Sequence, residues 1–287
     1  MTNDTRSILV ATSIAPNDRL AVQKDSIASW RWLGMTVASL NTPAEIELLA
    51  PQFEEVEFVP LLRSGAAATG RPVAYISDIL GFLNASSHSV FGIVNSDIYL
   101  AGPEGIVSFL ADAAREGLVY GPRLEVDSFD AADGRPDPYG FDFFFFDRRL
   151  VSVVGETRFC LGMPFWDHWF PLAAIIAGLR VEKLMTPVAR HIPHATSRDD
   201  SFFMFNDEFA RIAIDWMNDA DRGDAEAFGA GFPKDDYPRL RQAAGETDPS
   251  LTDEVRMERI TRLAEYYDRL TRYVIRFLDQ KSDRIHL

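Results

Sequence analysis

A chain of 287 residues, 47% hydrophobic and 25% charged, has the balance of a globular protein that buries its core without covalent staples. Its net charge of −14 argues against a general nucleic-acid binder and against adhesion to an anionic bilayer. The lone Cys160 reads as a core residue, residues 1–6 are polar with no signal peptide behind them, and no apolar run reaches about 18 residues, so the cytoplasm is the expected compartment.

Ser7 to Ala15 is a short run rich in branched residues, a buried strand closed by Pro16. Asp18 to Leu33 carries Leu20, Ile27, Trp30 and Leu33 at helical spacing, and Gly34 stands where a helix C-cap belongs. Strands are expected at Met35–Leu40 and Val56–Leu61, with a short helix opened by Thr42-Pro43 between them. The spacing then predicts a helix over Val73–Leu83, a strand over Val90–Leu100, a helix from Pro103 and a strand over Leu118–Gly121. Asp127 to Pro138 is dense in Asp, Gly and Pro and reads as a long loop. Phe141 to Phe146 follows as a strand with aromatic side chains on both faces, which places it centrally in a sheet. A helix over Phe165–Leu179 and a strand over Val181–Val188 lead to His191-Ile192-Pro193-His194.

The order of strands and helices indicates an α/β fold, a mainly parallel sheet with helices on both faces and its ligand edge at the strand C-termini. The last third changes character. Phe205–Met217 and Asp253–Leu278 are helical, separated by a Gly/Pro/Asp-rich stretch from Arg222 to Pro249. The expected division is therefore a catalytic domain of residues 1–200 and a helical C-terminal extension of residues 201–287. In the final helix Ile260, Leu263, Tyr267, Leu270, Val274 and Phe277 form a seam suited either to docking on the chain's own domain or to a homodimer contact.

Chemistry concentrates at VFGIVNSDIYL, where a hydrophobic strand delivers Asn95 and Asp97 two positions apart, on one side of a strand. Oxygen ligands so placed can hold a hard divalent cation, Mn²⁺ or Mg²⁺, that takes its remaining oxygens from a diphosphate. Met163 to Pro171, MPFWDHWFP, sets Asp167 among aromatics at a helix start. Buried there it would be a proton acceptor, and Trp166 and Trp169 could stack on a sugar ring; the plain alternative is a capping Asp beside core tryptophans. Asp142 points opposite to its aromatic neighbours, either toward a sugar or to anchor the preceding loop.

The strand ending in Asn95-Ser96-Asp97 resembles the metal-binding DxD strand of GT-A glycosyltransferases. Gly70-Arg71 with the helix after it resembles the Gly/Arg-led helix that precedes that strand in the family. In element order the resemblance covers roughly residues 7 to 194, and it departs at Asn95, which stands where the family's first Asp would. The resemblance implies a Rossmann-like GT-A sheet and transfer of a sugar from a nucleotide-diphosphate donor to a glycan, lipid or protein acceptor. It implies that Asp97 holds the cation with His194 or His191, and that Asp167 deprotonates the acceptor with inversion. Thr12, Ser13, Asn41 and Ser96 would line the nucleotide edge, Arg71 and Arg198 would meet phosphate, and Asp78 would orient Arg71 or the base. No GxxxxGK[ST], GxGxxG or GxSxG motif and no Cys pair points elsewhere. Two other readings stay open: a nucleotidyltransferase, although Thr12–Asp18 lacks the expected glycines and basic residue, and a non-catalytic sugar- or nucleotide-binding module.

Overall fold

Runs of branched and aromatic residues, each only three to six long, build the strands of the computed structural model, which describes residues 7–194, 200–219, 228–229, 231–246, 248 and 250–287. In chain order they are β1 Ile8–Thr12, β2 Thr36–Asn41, β3 Glu57–Pro60, β4 Val90–Val94, β5 Ile98–Leu100 and β6 Gly117–Tyr120. β7 Arg123–Glu125, β8 Arg135–Asp137, β9 Phe143–Asp147, β10 Arg180–Leu184, β11 Ala189–His191 and β12 Asp283–Ile285 complete the set. Eight of them form one sheet in the order β12-β10-β6-β9-β4-β1-β2-β3, and four form a small sheet in the order β5-β11-β7-β8.

The large sheet is parallel except at β9, which runs antiparallel between β4 and β6. Every residue of β1 and β4 is buried, as expected of strands covered on both faces. The aromatic strand β9 is central for the same reason. Phe143 and Phe145 join Ile8, Val10 and Val90 in a core that takes Ile27 and Trp30 from α1 (Leu20–Trp32). On the opposite face Phe144 meets Trp166 and Phe170 of α7 (Trp166–Ile176), with ring centroids 5.1 and 5.3 Å apart.

Between these lie α2 Pro43–Leu49, α3 Ala66–Thr69, α4 Ile76–Ala85, α5 Ile106–Ala113 and α6 Arg148–Val153. Gly34 does follow α1 in the left-handed region, at φ +91°. The helix expected from Val73 begins at Ile76. More consequentially, Val90–Leu100 and Val181–Val188 are not single strands. The first leaves the large sheet after Val94 and enters the small one at Ile98; the second leaves after Leu184 and enters at Ala189. Part of the expected loop at Asp127–Pro138 is β8, an edge strand, where Pro136 lacks a ladder donor at little cost.

The chain divides into two compact units, one running to Phe205 and resuming at Lys281–Leu287 through β12, the other Asn206–Gln280. α8 spans Asp200–Asn218, and within the second unit lie α9 Asp236–Gly245 and most of α10 Asp253–Lys281. The α10 seam is buried from Leu263 to Phe277, and Ile260 is partly exposed. Phe277 meets Trp216 of α8 at 5.3 Å and Tyr266 meets Tyr237 of α9 at 5.8 Å. Asp207 of α8 accepts hydrogen bonds from Tyr237 at 3.0 Å, from Arg241 at 2.5 Å and from Tyr267. Of the two roles expected of this seam, packing within the chain is the one these contacts show, for Leu263, Tyr267, Leu270, Val274 and Phe277. Among the described residues no helix is long and apolar enough to cross a membrane.

Gly92 of β4 faces Phe145 of β9 in register, and a Cβ there would lie 2.9 Å from the Phe145 ring. Gly92→Ala is expected to lower the unfolding free energy by about 1–3 kcal/mol in urea titrations. Gly81→Ala on the exposed side of α4, where a Cβ meets nothing within 4 Å, is expected to raise it by about 0.5–1 kcal/mol.

Candidate functional site

Where the chain changes sheets, Asn95-Ser96-Asp97 forms the turn between β4 and β5. In the small sheet Ile98 of β5 pairs with His191 of β11, and His191 pairs with Glu125 of β7. That register sets Asp97, His191 and Glu125 side by side, and Pro193 carries the chain on to His194. His191 Nε2 and His194 Nε2 each lie 3.4 Å from Asp97 Oδ2. The three candidate ligand atoms lie within 4.8 Å of one another, a grouping that could hold a metal ion. His191 is buried, Asp97 is partly covered and His194 is exposed, so the cluster opens on one side.

The Asp97 carboxyl feels opposing influences. Burial would raise its pKa, but hydrogen bonds and positive charge from His191 and His194 outweigh burial and hold it well below the usual carboxylate range. Behind His191 stands Glu125, whose carboxylate lies 3.1 Å from His191 Nδ1. A carboxylate there fixes the ring orientation and would hold the Nδ1 proton when Nε2 turns its lone pair to a cation.

Glu125 is itself held by Arg123, whose guanidinium bonds Glu125 at 2.7 Å, Asp137 at 3.0 Å and Asp142 at 2.5 Å. A Cβ at position 140 would come within 2.8 Å of Arg123 Nε, so a larger residue there would displace the guanidinium. Asp142 accepts from Asn95 Nδ2 at 2.6 Å, and the Asn95 N–H donates to the Asp142 carbonyl at 3.0 Å. Asn95 is thus committed to Asp142, and the expectation that it shares Asp97's direction fails because both residues lie on a turn. Burial raises the Asp142 carboxyl, Arg123 opposes this, and the charges of Asp167 and Asp97 add to the rise.

The loop after β1, where the nucleotide edge is expected, is braced by buried polar side chains. Gln23 of α1 grips Ala15 at both its N–H and its carbonyl, each at 2.8 Å, and accepts from Ser96 Oγ at 2.8 Å. Ser39 accepts from the Ile14 N–H and donates to Asn41, while Asn41 donates to the Ile14 carbonyl at 2.8 Å. Asn41 is therefore a fully buried brace, a correction to the expected base or ribose contact. Thr12 is fully buried as well, with Oγ1 lacking a hydrogen-bond partner among the described residues, and Ser13 is partly exposed.

Other expectations are also corrected. Trp166 is 1% exposed and Trp169 5%, packed on Phe144 and Phe159, so neither offers a face to a sugar. Asp78 pairs with Arg63 at 2.8 Å, and Arg71 is exposed beside α3, its N–H on Thr69 Oγ1. Asp167 lies in the first turn of α7, where Phe165 occupies the N-cap without a side-chain bond; the capping role falls away. Its carboxylate is 3.8 Å from His168 Nδ1, and His168 Nε2 meets the Tyr139 carbonyl at 2.8 Å. Arg198 lies outside the described residues.

The sequence reading missed Arg19, Gln23, Arg123, Glu125 and Asp137. For Arg123 and Glu125 a signal existed, since period-two alternation in Arg123-Leu124-Glu125 puts both charges on one side of a strand.

No protein-family model matches the sequence, and no curated protein matches it. Solved structures do resemble the fold. Residues 1–349 of Staphylococcus aureus TarS superpose over 96% of this chain and 83% of that one, at 9% identity and a TM-score of 0.52. The mannosyltransferase PcManGT from Pyrobaculum calidifontis, in complex with GDP-Man and Mn²⁺, covers 93% of this chain and 84% of its own at 12% identity and a TM-score of 0.48. A putative glucose-1-phosphate thymidylyltransferase from Bacillus anthracis covers 62% and 85%, at 10% identity and a TM-score of 0.38. The likeness to TarS bears on the fold, a GT-A-like mixed α/β sheet.

Glu125→Gln keeps the size of the residue behind His191 and removes its charge. Affinity for Mn²⁺, read by titration calorimetry, is expected to drop by about 10–100-fold. An unchanged affinity would show that Glu125 does not orient the His191 ring.

Proposed function

We propose that this chain transfers a sugar from a nucleotide-diphosphate donor to an acceptor, assisted by a divalent cation. One observation carries the reading: a carboxylate and two imidazoles, from Asp97, His191 and His194, converge at the mouth of the sheet with ligand atoms within 4.8 Å. The donor set fits a metal ion, and its two neutral nitrogens favour Mn²⁺ over Mg²⁺. A bound cation would neutralise charge developing on the nucleoside-diphosphate leaving group.

The chain's own residues have separable tasks in this proposal. Gln23, Ser39 and Asn41 hold the loop after β1 rigid by taking up its backbone groups, and so fix the shape of the nucleotide edge at the strand ends. Asp142, buried and fixed by Arg123 and Asn95, anchors the preceding loop beside the site. Asp167 takes the acceptor proton during direct displacement, which inverts the anomeric centre. Its link to the rest of the site is electrostatic, through Asp142. Polysaccharide, lipid and protein acceptors are all compatible with these groups. The loop from Thr12 to Asp18 carries no glycine, which favours transfer over nucleotidyl chemistry.

A panel of nucleotide sugars with Mn²⁺ tests the reading by release of nucleoside diphosphate. Asp97→Ala is expected to abolish turnover with an unchanged far-ultraviolet spectrum, and Asp167→Asn to lower kcat by about 10²–10⁴-fold while sparing UDP or GDP binding. Near-wild-type turnover in Asp97→Ala would end the metal-assisted reading.

A further inference from the structure

Arg19 stands where local physics disfavours a cation. It is the N-cap of α1, a position at which its side chain makes no capping bond, and the first turn of that helix holds no acidic residue. A guanidinium there faces the positive end of the helix dipole. Its few contacts are not those of an ordinary surface arginine. Nη2 donates to the Ile192 carbonyl at 2.8 Å and lies 3.8 Å from Asp97 Oδ2, while Nε is buried without a hydrogen-bond partner among the described residues. Asn17 fixes the backbone beneath it by accepting from the Arg19 N–H at 3.0 Å. Departures from local preference are expected at functional positions.

We infer that Arg19 is the second cation of the diphosphate site, sharing Asp97 with the metal and offering its planar fork to the anion. The inference rests on the proposed function and gives Arg19 the diphosphate role that the sequence resemblance gave to Arg71. Two electrostatic consequences have opposite signs. A positive charge beside Asp97 weakens the hold of Asp97, His191 and His194 on a bare divalent cation. The same charge strengthens the hold on a nucleoside diphosphate, whose oxygens match a guanidinium fork. Arg19 thus makes cation binding to the free protein weak and binding together with diphosphate strong, a reciprocal coupling.

Titration calorimetry on wild type, Arg19→Gln and Arg19→Lys separates this from a merely structural strap. The probes are MnCl₂ alone, then UDP and GDP, each with EDTA and with Mn²⁺. Arg19→Gln is expected to bind Mn²⁺ at least about threefold more tightly and its preferred diphosphate at least about tenfold more weakly, with EDTA as well as with Mn²⁺. Arg19→Lys keeps the charge and loses the fork, so its Mn²⁺ affinity returns to wild type and its diphosphate affinity falls between the two. If Arg19→Gln weakens both ligands, or leaves diphosphate binding unchanged, the inference is overturned. Wild type that binds neither UDP nor GDP overturns the functional reading too, and that result is visible before any variant is compared.

Discussion

The site depends on one constraint, the register of the small sheet at the place where the chain leaves the large one. Ile98 lies opposite His191 and His191 opposite Glu125, so the side chains just before and within these strands have no freedom to separate. Asp97 precedes Ile98 by one residue and His194 follows His191 by three, close enough that backbone pairing alone brings carboxylate and imidazoles together. Slipping β5 by one residue would turn each of its side chains to the other face. The cluster is a property of strand pairing before it is a property of side-chain packing.

Register creates an electrostatic difficulty that the surrounding residues resolve. Asp97, Glu125, Asp137 and Asp142 are carboxylates joined by one continuous set of contacts. Like charges so near raise one another's proton affinity, and burial adds to the effect. Arg123 answers for three of them with separate nitrogens, while the two histidines and Arg19 answer for Asp97. Arg123 has the planar geometry this demands; a lysine would present a single point charge to three separated carboxylates. The cations differ in kind. Arg123 is enclosed by its partners and serves as scaffold, whereas Arg19 keeps a buried donor without a partner.

Much of this was legible in the sequence, and the misses have physical causes. Hydrophobic runs and Gly34 announced the parallel sheet and its helices, and six consecutive residues from Phe141 to Phe146 marked the central strand, where both faces need apolar cover. Asp97, His191 and His194 stood out as strand-end and loop residues of ligand type. Asn95 was misplaced because a period-two argument holds only while the strand continues, and β4 stops at Val94. Trp166 was ambiguous because an aromatic at a helix start suits a core and a sugar platform equally; burial against Phe144 decides for the core. Asp78 could not be assigned, since its partner Arg63 lies 15 residues away in the loop between β3 and α3. Arg19 and Gln23 fall within the helix expected over Asp18–Leu33, where a polar residue raises no signal until the opposite loop is known.

The central claim is that Asp97, His191 and His194 converge on a single cation. Electron spin-echo spectroscopy of the protein with one equivalent of Mn²⁺ tests it most directly, because coupling to nitrogen reports imidazole ligation without any need for substrate. The account predicts two coupled imidazole nitrogens. Mn²⁺ held by oxygen ligands alone, or no bound Mn²⁺ at all, would contradict it.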